Sequence, residues 1–245
     1  MIFGIDNIEQ FRAFFDVVHE STTVVQFQIF KDKLVCSLLD KSHTNFYSVK
    51  FEEDFFYQFD VESEDMILLD ADDLYKLLKS CKKTDKLFLE VDNLYLTAVV
   101  ESENGNRRVF EYVLLDMDYA SPNFPPIVYD TEFEVDTNDL KQSVTDLNLI
   151  GTNLYKMSVS GDNLCIFTGD SARTKYSHSI DIDPETPTKM IVSGYSIDFI
   201  ERMLKFNKVN KVVEIGFGHD KPLSYLFKGD SMCIKGLIAP RIEED

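Results

Sequence analysis

Elements of this 245-residue chain recur at a nearly constant offset. A segment of helical spacing that starts near residue 8 is answered near 137, and one near 72 is answered near 196. The hairpin pattern KDKLVC at 31–36 returns as GDNLCI at 161–166, and a strand pair at 87–100 returns at 212–227. Two copies of one helix–strands–helix–strands unit therefore account for the chain.

The helical segments are 8–20 (IEQFRAFFDVVHE), 72–86 (DDLYKLLKSCKKTDK), 137–149 (TNDLKQSVTDLNL) and 196–211 (SIDFIERMLKFNKVNK). Leu74, Leu77 and Leu78 form an apolar stripe at i, i+3, i+4 spacing, as do Ile200, Met203 and Leu204. Asp72, Thr137 and Ser196 are the expected N-caps, because a short polar side chain satisfies the orphan amides of a first turn. The rest reads as strands. Val24, Phe27, Ile29, Leu34, Val35, Phe46, Tyr47, Val49, Leu87, Leu89, Val91, Leu94 and Leu96 lie in alternating or β-branched and aromatic runs broken by polar turns. Strands this numerous beside few helices predict the α+β class with antiparallel sheets. The stretch DMDYASPNFPPIVYD at 116–130 holds three of the seven prolines, each of which lacks a backbone donor and restricts its predecessor. The expected division is a domain at 1–116, a connector at 117–130 and a second domain at 131–245.

With 44% hydrophobic residues the chain can bury a sizeable core. Its 43 acids against 25 bases exclude a protein that coats nucleic acid with its whole surface, but not one with a local basic surface. The four helical segments hold eleven bases and ten acids, so their 57 residues sum to +1 and the other 188 carry −19. The helices are the part an anion approaches without strong repulsion. Lys76, Lys79 and Lys83 follow the spacing of one helix face, as do Arg202, Lys205 and Lys208. Lys82 and Lys86 read as ordinary solvated residues.

Enzymatic signals are weak. His19, His43, His178 and His219 are scattered, and none falls in an HxxxH or HExxH spacing. The acid pairs Asp116/Asp118 and Asp181/Asp183 are expected by chance in so acidic a chain. GFGHDK at 216–221 runs into strand-like residues rather than a helix, so it reads as a hairpin turn and not a phosphate loop. Cys36, Cys81, Cys165 and Cys233 lie too far apart for a zinc cluster and are expected as reduced, mostly buried thiols. No catalytic residue, metal or cofactor is expected. Asp6, Glu9, Arg12 and Asp16 interrupt the first apolar residues, against a signal peptide, and no apolar run is long enough to span a membrane. An intracellular protein is expected.

Two related α+β halves, a proline-bearing connector and the terminal run IAPRIEED at 238–245 together resemble the sliding-clamp family of proliferating cell nuclear antigen. LYKLLKSCKKTDKLFLEV at 74–91 is similar to the family's second helix and following strand, and DLNLIGTNLYKMSVSGDNLCIF at 146–167 to the start of its second half. The resemblance implies the DNA-clamp fold, with sheets outside and four helices per chain lining a ring around double-stranded DNA. It implies a processivity factor without chemistry of its own. Its partners would be DNA polymerase, a clamp loader and other replication or repair proteins that carry a clamp-binding peptide, and it would self-associate, as a homotrimer.

Carried over by position, Arg12, Lys76, Lys79 and Lys205 fall where the family places DNA-facing bases; Lys83, Lys141 and Lys208 join them from local helix spacing. Gln142, Thr145, Ala13 and His19 stand where the family is often basic, so the second and fourth helices are expected to dominate. The partner-peptide pocket implied, which takes a short helical peptide with aromatic anchors, is Leu39, His43, Pro122, Phe124, Pro125, Pro222, Leu237, Ala239 and Pro240, with Thr44 and Lys221 at positions that tend to be apolar in the family. The edge strands expected to join subunits are 107–114 and 174–182, with Phe110 at the apolar centre of that contact. Competing readings are a subunit of a specialised or heteromeric clamp, and a monomeric processivity factor that holds DNA on one basic face.

Overall fold

A computed structural model describes residues 1–92, 94–169, 173–184, 186 and 189–241. The chain falls into two compact units, Met1–Asn123 with Gly229–Ile234, and Phe124–Lys228 with Lys235–Asp245.

The first unit runs β1 (Ile2–Ile5), α1 (Ile8–Val18), β2 (Val24–Ile29), β3 (Lys33–Leu39), β4 (Asn45–Glu52), β5 (Gln58–Asp60), β6 (Asp65–Asp70), α2 (Ala71–Ser80), β7 (Lys86–Val91), β8 (Tyr95–Glu101) and β9 (Arg107–Val113). One antiparallel sheet has the order β5–β1–β7–β8–β9, and β6–β2–β3–β4 forms another run. Register decides which side chains go inward. Phe3 faces Leu89 and Leu89 faces Ala98, while Ile5 faces Leu87 and Leu87 faces Val100. All six are buried, so the period of two in the sequence becomes one apolar face. Rings fill the space between helix and sheet: Phe11 meets Phe51 at 5.0 Å and Phe51 meets Phe55 at 4.8 Å. Such pairs contribute roughly 0.5–1.5 kcal/mol beyond their area burial.

The second unit runs β10 (Thr131–Asp136), α3 (Thr137–Ile150), β11 (Leu154–Ser160), β12 (Asn163–Phe167), β13 (Ser177–Asp181), β14 (Ile191–Ser196), α4 (Ile197–Leu204), β15 (Val212–Phe217), β16 (Leu223–Lys228) and the later part of β17 (Met232–Ile238), whose first three residues are counted with the first unit. Its strand orders β10–β15–β16–β17 and β14–β11–β12–β13 repeat β1–β7–β8–β9 and β6–β2–β3–β4. The duplication read from spacing is thus a duplication of topology. GFGHDK is the turn between β15 and β16, as expected, with Asp220 at φ 50°.

Several boundaries differ from the sequence reading. The helix expected over 72–86 ends at Ser80, because Cys81 turns to an extended ψ of 139° and the Asp85 carboxylate accepts the Lys82 amide at 2.9 Å. Lys82 and Lys83 therefore lie in a turn, and Lys86 opens β7. The N-cap of α2 is Asp70, not Asp72: it accepts the Asp72 and Asp73 amides, and Asp136 rather than Thr137 caps α3 in the same way. Ser196 occupies the cap of α4 but makes no capping bond. The segment expected over 196–211 is α4 followed by a 3₁₀ turn, Lys205–Lys208. Leu94 lies outside the strands, 64% exposed. Cys36 and Cys81 are buried, but Cys165 and Cys233 are only half-buried. Within the observed bounds the helices and the 3₁₀ turn at 205–208 hold seven bases and eight acids, a near-neutral surface rather than a net-positive one.

Candidate nucleic-acid interface and partner surface

In the first unit α1 and α2 are neighbours. α1 buries Ile8, Phe11, Phe14, Phe15 and Val18, which leaves Glu9, Arg12 and Asp16 on its outer side. Arg12 Nε lies 3.6 Å from Asp16 Oδ2 one turn on, so its charge is partly offset. α2 buries Leu74, Leu77 and Leu78 and exposes Asp72, Asp73, Lys76 and Lys79. Lys79 Nζ lies 5.3 Å over the Tyr75 ring, which stacks on His19 at 3.6 Å. His19 is thereby a packing residue between the two helices. Lys83, off the helix, is ion-paired to Glu9 at 3.2 Å, so the helical face assigned to it from spacing does not exist.

In the second unit α3 buries Leu140, Val144 and Leu147 and carries Lys141 half-buried. Gln142 and Thr145, exposed, make hydrogen bonds within the helix, to Asp146 and to the Lys141 carbonyl. α4 buries Ile200, Met203 and Leu204, and the Arg202 guanidinium sits 5.8 Å over the Phe199 ring. Lys205 and Lys208 stand exposed in the 3₁₀ turn. Among the described residues Lys76 and Lys205 have no carboxylate within ion-pairing distance. Each unit thus offers a few separated ammonium groups on a near-neutral helical surface. Such a surface can meet phosphates.

The two strands expected as edges are edges. β9 borders β8 and β13 borders β12, each at the end of its strand order within its unit. Phe110 is half-buried beside Tyr112, their rings 6.5 Å apart, and its neighbours Val109 and Val113 are 62% and 66% exposed.

The residues assigned to partner binding divide between the units. Leu39, at the end of β3, is 36% exposed, and His43 has φ 57° in the turn after it. Pro122, half-buried, follows a segment held on β2: Gln28 donates to Ser121 at 2.9 Å and Gln26 to the Tyr119 carbonyl at 3.4 Å. In the second unit Phe124 lies under Lys235 Nζ at 4.6 Å and borders a depression of about 600 Å3 with Glu132, Glu134 and Glu214. Pro125 is exposed, while Pro222, Ala239 and Pro240 are half-buried. Leu237, 7% exposed, is a core residue. Of IAPRIEED, residues 242–245 lie outside the described residues. Lys221 is ion-paired to Asp130 at 2.7 Å, and Thr44 joins a cluster around Asp40. Sequence reasoning missed both carboxylates; DxSxT at 40–44 is the signal that was there to be read, since Asp, Ser and Thr bond their own turns.

A family model for the N-terminal domain of proliferating cell nuclear antigen matches residues 5–122. The DNA polymerase sliding clamp of Methanothermobacter thermautotrophicus is 30% identical over 238 residues, 96% of this chain and 95% of its own. The chain belongs to the DNA polymerase sliding clamp family. Its fold agrees with two solved clamps. Proliferating cell nuclear antigen of Thermococcus kodakaraensis matches with a TM-score of 0.88 at 20% identity, over 98% of this chain and 99% of that one. A chain of the PCNA2–PCNA3 complex of Sulfolobus tokodaii matches with 0.85 at 18%, over 99% and 100%. In clamp terms the four helices and the antiparallel sheets are those of the family fold.

Proposed function

We propose that this clamp chain closes with two further copies of itself into a ring around duplex DNA. There it tethers DNA polymerase and other replication and repair enzymes and acts as a processivity factor. The observation that carries the reading is the match to a DNA polymerase sliding clamp over 96% of the chain. Tethering turns repeated rebinding into an effectively intramolecular event, so the protein needs no chemistry of its own. The modules would be 1–116 and 131–245, joined by the connector 117–130, and the place of work is inside the cell, with DNA.

The DNA contacts we propose are Arg12, Lys76 and Lys79 from the first unit and Lys141, Lys205 and Lys208 from the second. Lys83 is set aside, since Glu9 holds it. Weak, sequence-independent phosphate contacts suit a ring that slides. The residues we propose for partner peptides are Leu39, His43 and Pro122 in the first unit and Phe124, Pro125, Pro222, Ala239 and Pro240 in the second, with Leu237 buried. Subunits would join through β9 and β13, with Phe110 at the contact; an exposed strand edge is a template for pairing, and closure consumes it.

Light scattering of the purified chain should give three times 28.3 kDa, and the ring should stay on circular duplex but slide off linear duplex of the same sequence. Equal loss from both forms would remove encirclement. A second reading, a subunit of a mixed ring, draws support from the Sulfolobus tokodaii neighbour, a complex of two different chains. A purified chain that stays monomeric and forms a ring only with a second chain would favour it.

A further inference from the structure

The turn between β3 and β4 is built around one carboxylate. Asp40 is 6% exposed, and its Oδ1 accepts the Thr44 and Asn45 amides at 2.8 Å each. Its Oδ2 accepts the Ser42 hydroxyl and, at 3.2 Å, the Thr44 hydroxyl. The two hydroxyls lie 2.7 Å apart. The Asp40 backbone closes the same loop: its amide donates to the Asn45 carbonyl at 3.0 Å, and its carbonyl accepts the His43 amide at 2.9 Å. Within this loop His43 has φ 57°, a left-handed conformation that a β-carbon disfavours. It persists because the surrounding bonds over-determine it.

We propose that Asp40 is a positioning residue for partner recognition: it holds His43 in its left-handed conformation and so presents Leu39 and His43 to an incoming helical peptide. This rests on the assignment of Leu39 and His43 to the peptide surface. Asp40 does not touch the peptide, because it is buried and its oxygens are taken by the turn. Thr44 gains a role here. Where the family tends to be apolar, its hydroxyl donates to Asp40, close beside the Ser42 hydroxyl, and adds to the fastening.

A residue that acts this way changes the fraction of chains whose turn is ready to bind, and apparent affinity scales with that fraction. Its loss should therefore slow association and leave dissociation nearly unchanged, whereas removing a group that touches the peptide speeds dissociation. The test uses the full chain and a fluorescein-labelled synthetic helical peptide with two aromatic anchors, read by anisotropy at equilibrium and by stopped flow. Asp40→Asn keeps the shape and removes the charge; about a tenfold loss of affinity is expected, carried by association. Thr44→Val should give roughly a threefold loss of the same kind, and it keeps the question answerable if Asp40→Asn fails to fold. Unaltered association in a folded variant overturns the inference while peptide binding by the parent chain upholds the partner surface. A loss carried by dissociation also overturns it. A parent chain that ignores the peptide overturns the partner surface, and this inference with it.

Discussion

Lys221 Nζ lies 2.7 Å from Asp130 Oδ1 and 2.9 Å from the Val128 carbonyl, so one ammonium fastens the end of the proline-bearing stretch to the β15–β16 turn. Asp130 accepts the His219 amide at 3.0 Å with its other oxygen. The bond from Lys221, then that from His219, holds the Asp130 carboxyl below its ordinary pKa. Lys221→Met keeps the aliphatic stem and removes the pair. The pair is about a third exposed, so the stability cost should stay below about 1 kcal/mol. Hydrogen exchange at residues 128–130 should nonetheless quicken; unchanged protection there would show that the pair does not hold the stretch.

Gly216 should not tolerate a side chain. A β-carbon there would lie 2.6 Å from the Tyr129 ring and 2.3 Å from Ser224 Oγ. Overpacking of this kind costs roughly 1–3 kcal/mol, so Gly216→Ala should lower the denaturation midpoint without changing the m-value.

On DNA, Lys76 and Lys79 should separate from Lys83. Replacing either of the first two by Ala should weaken retention on circular duplex and reduce the salt slope by about 0.9 for each phosphate no longer neutralised. Lys83→Ala should leave the slope where it was, because Glu9 already pairs that ammonium. Titrations at several salt concentrations decide it.

Phe110→Asp should break subunit joining while leaving each chain folded, since β9 is a sheet edge and Phe110 only half-buried. Light scattering should then report the single-chain mass of 28.3 kDa with an unchanged far-UV spectrum. A persistent trimer would move the contact elsewhere.

Acid should loosen the β3–β4 turn. Burial pushes the Asp40 carboxyl up, but bonds from Ser42, the Asn45 and Thr44 amides and the Asn45 side chain outweigh it, and the net direction is down from 3.8. A carboxyl depressed in the folded state contributes stability that is present above its ordinary value and lost as pH falls through its lowered one. Melting curves between pH 6 and pH 2 should show that loss, and Asp40→Asn should flatten its share.

What was legible in the sequence was periodic. The apolar stripe at Leu74, Leu77 and Leu78, the alternation through Leu87 and Leu89, and the offset between copies each depend on spacing along the chain, and spacing survives folding. Both edge strands came from the family resemblance, not from spacing. The end of α2 could not: Lys79, Lys82, Lys83 and Lys86 keep a helix-like spacing past Ser80. What stops the helix is the Asp85 carboxylate on the Lys82 amide and the pairing of Lys86 with Glu101 in β8. Asp130 and Glu9 likewise show their roles only through the groups beside them: Lys221, which looks like a polar interruption of an apolar surface, proves to be a fastening, and Lys83 is held in an ion pair. Local chain geometry determines which face a residue occupies, so sequence alone could settle the buried faces. Which carboxylate a distant ammonium finds is settled by distance in space, and only the tertiary structure brings Glu9 to Lys83 and Asp130 to Lys221.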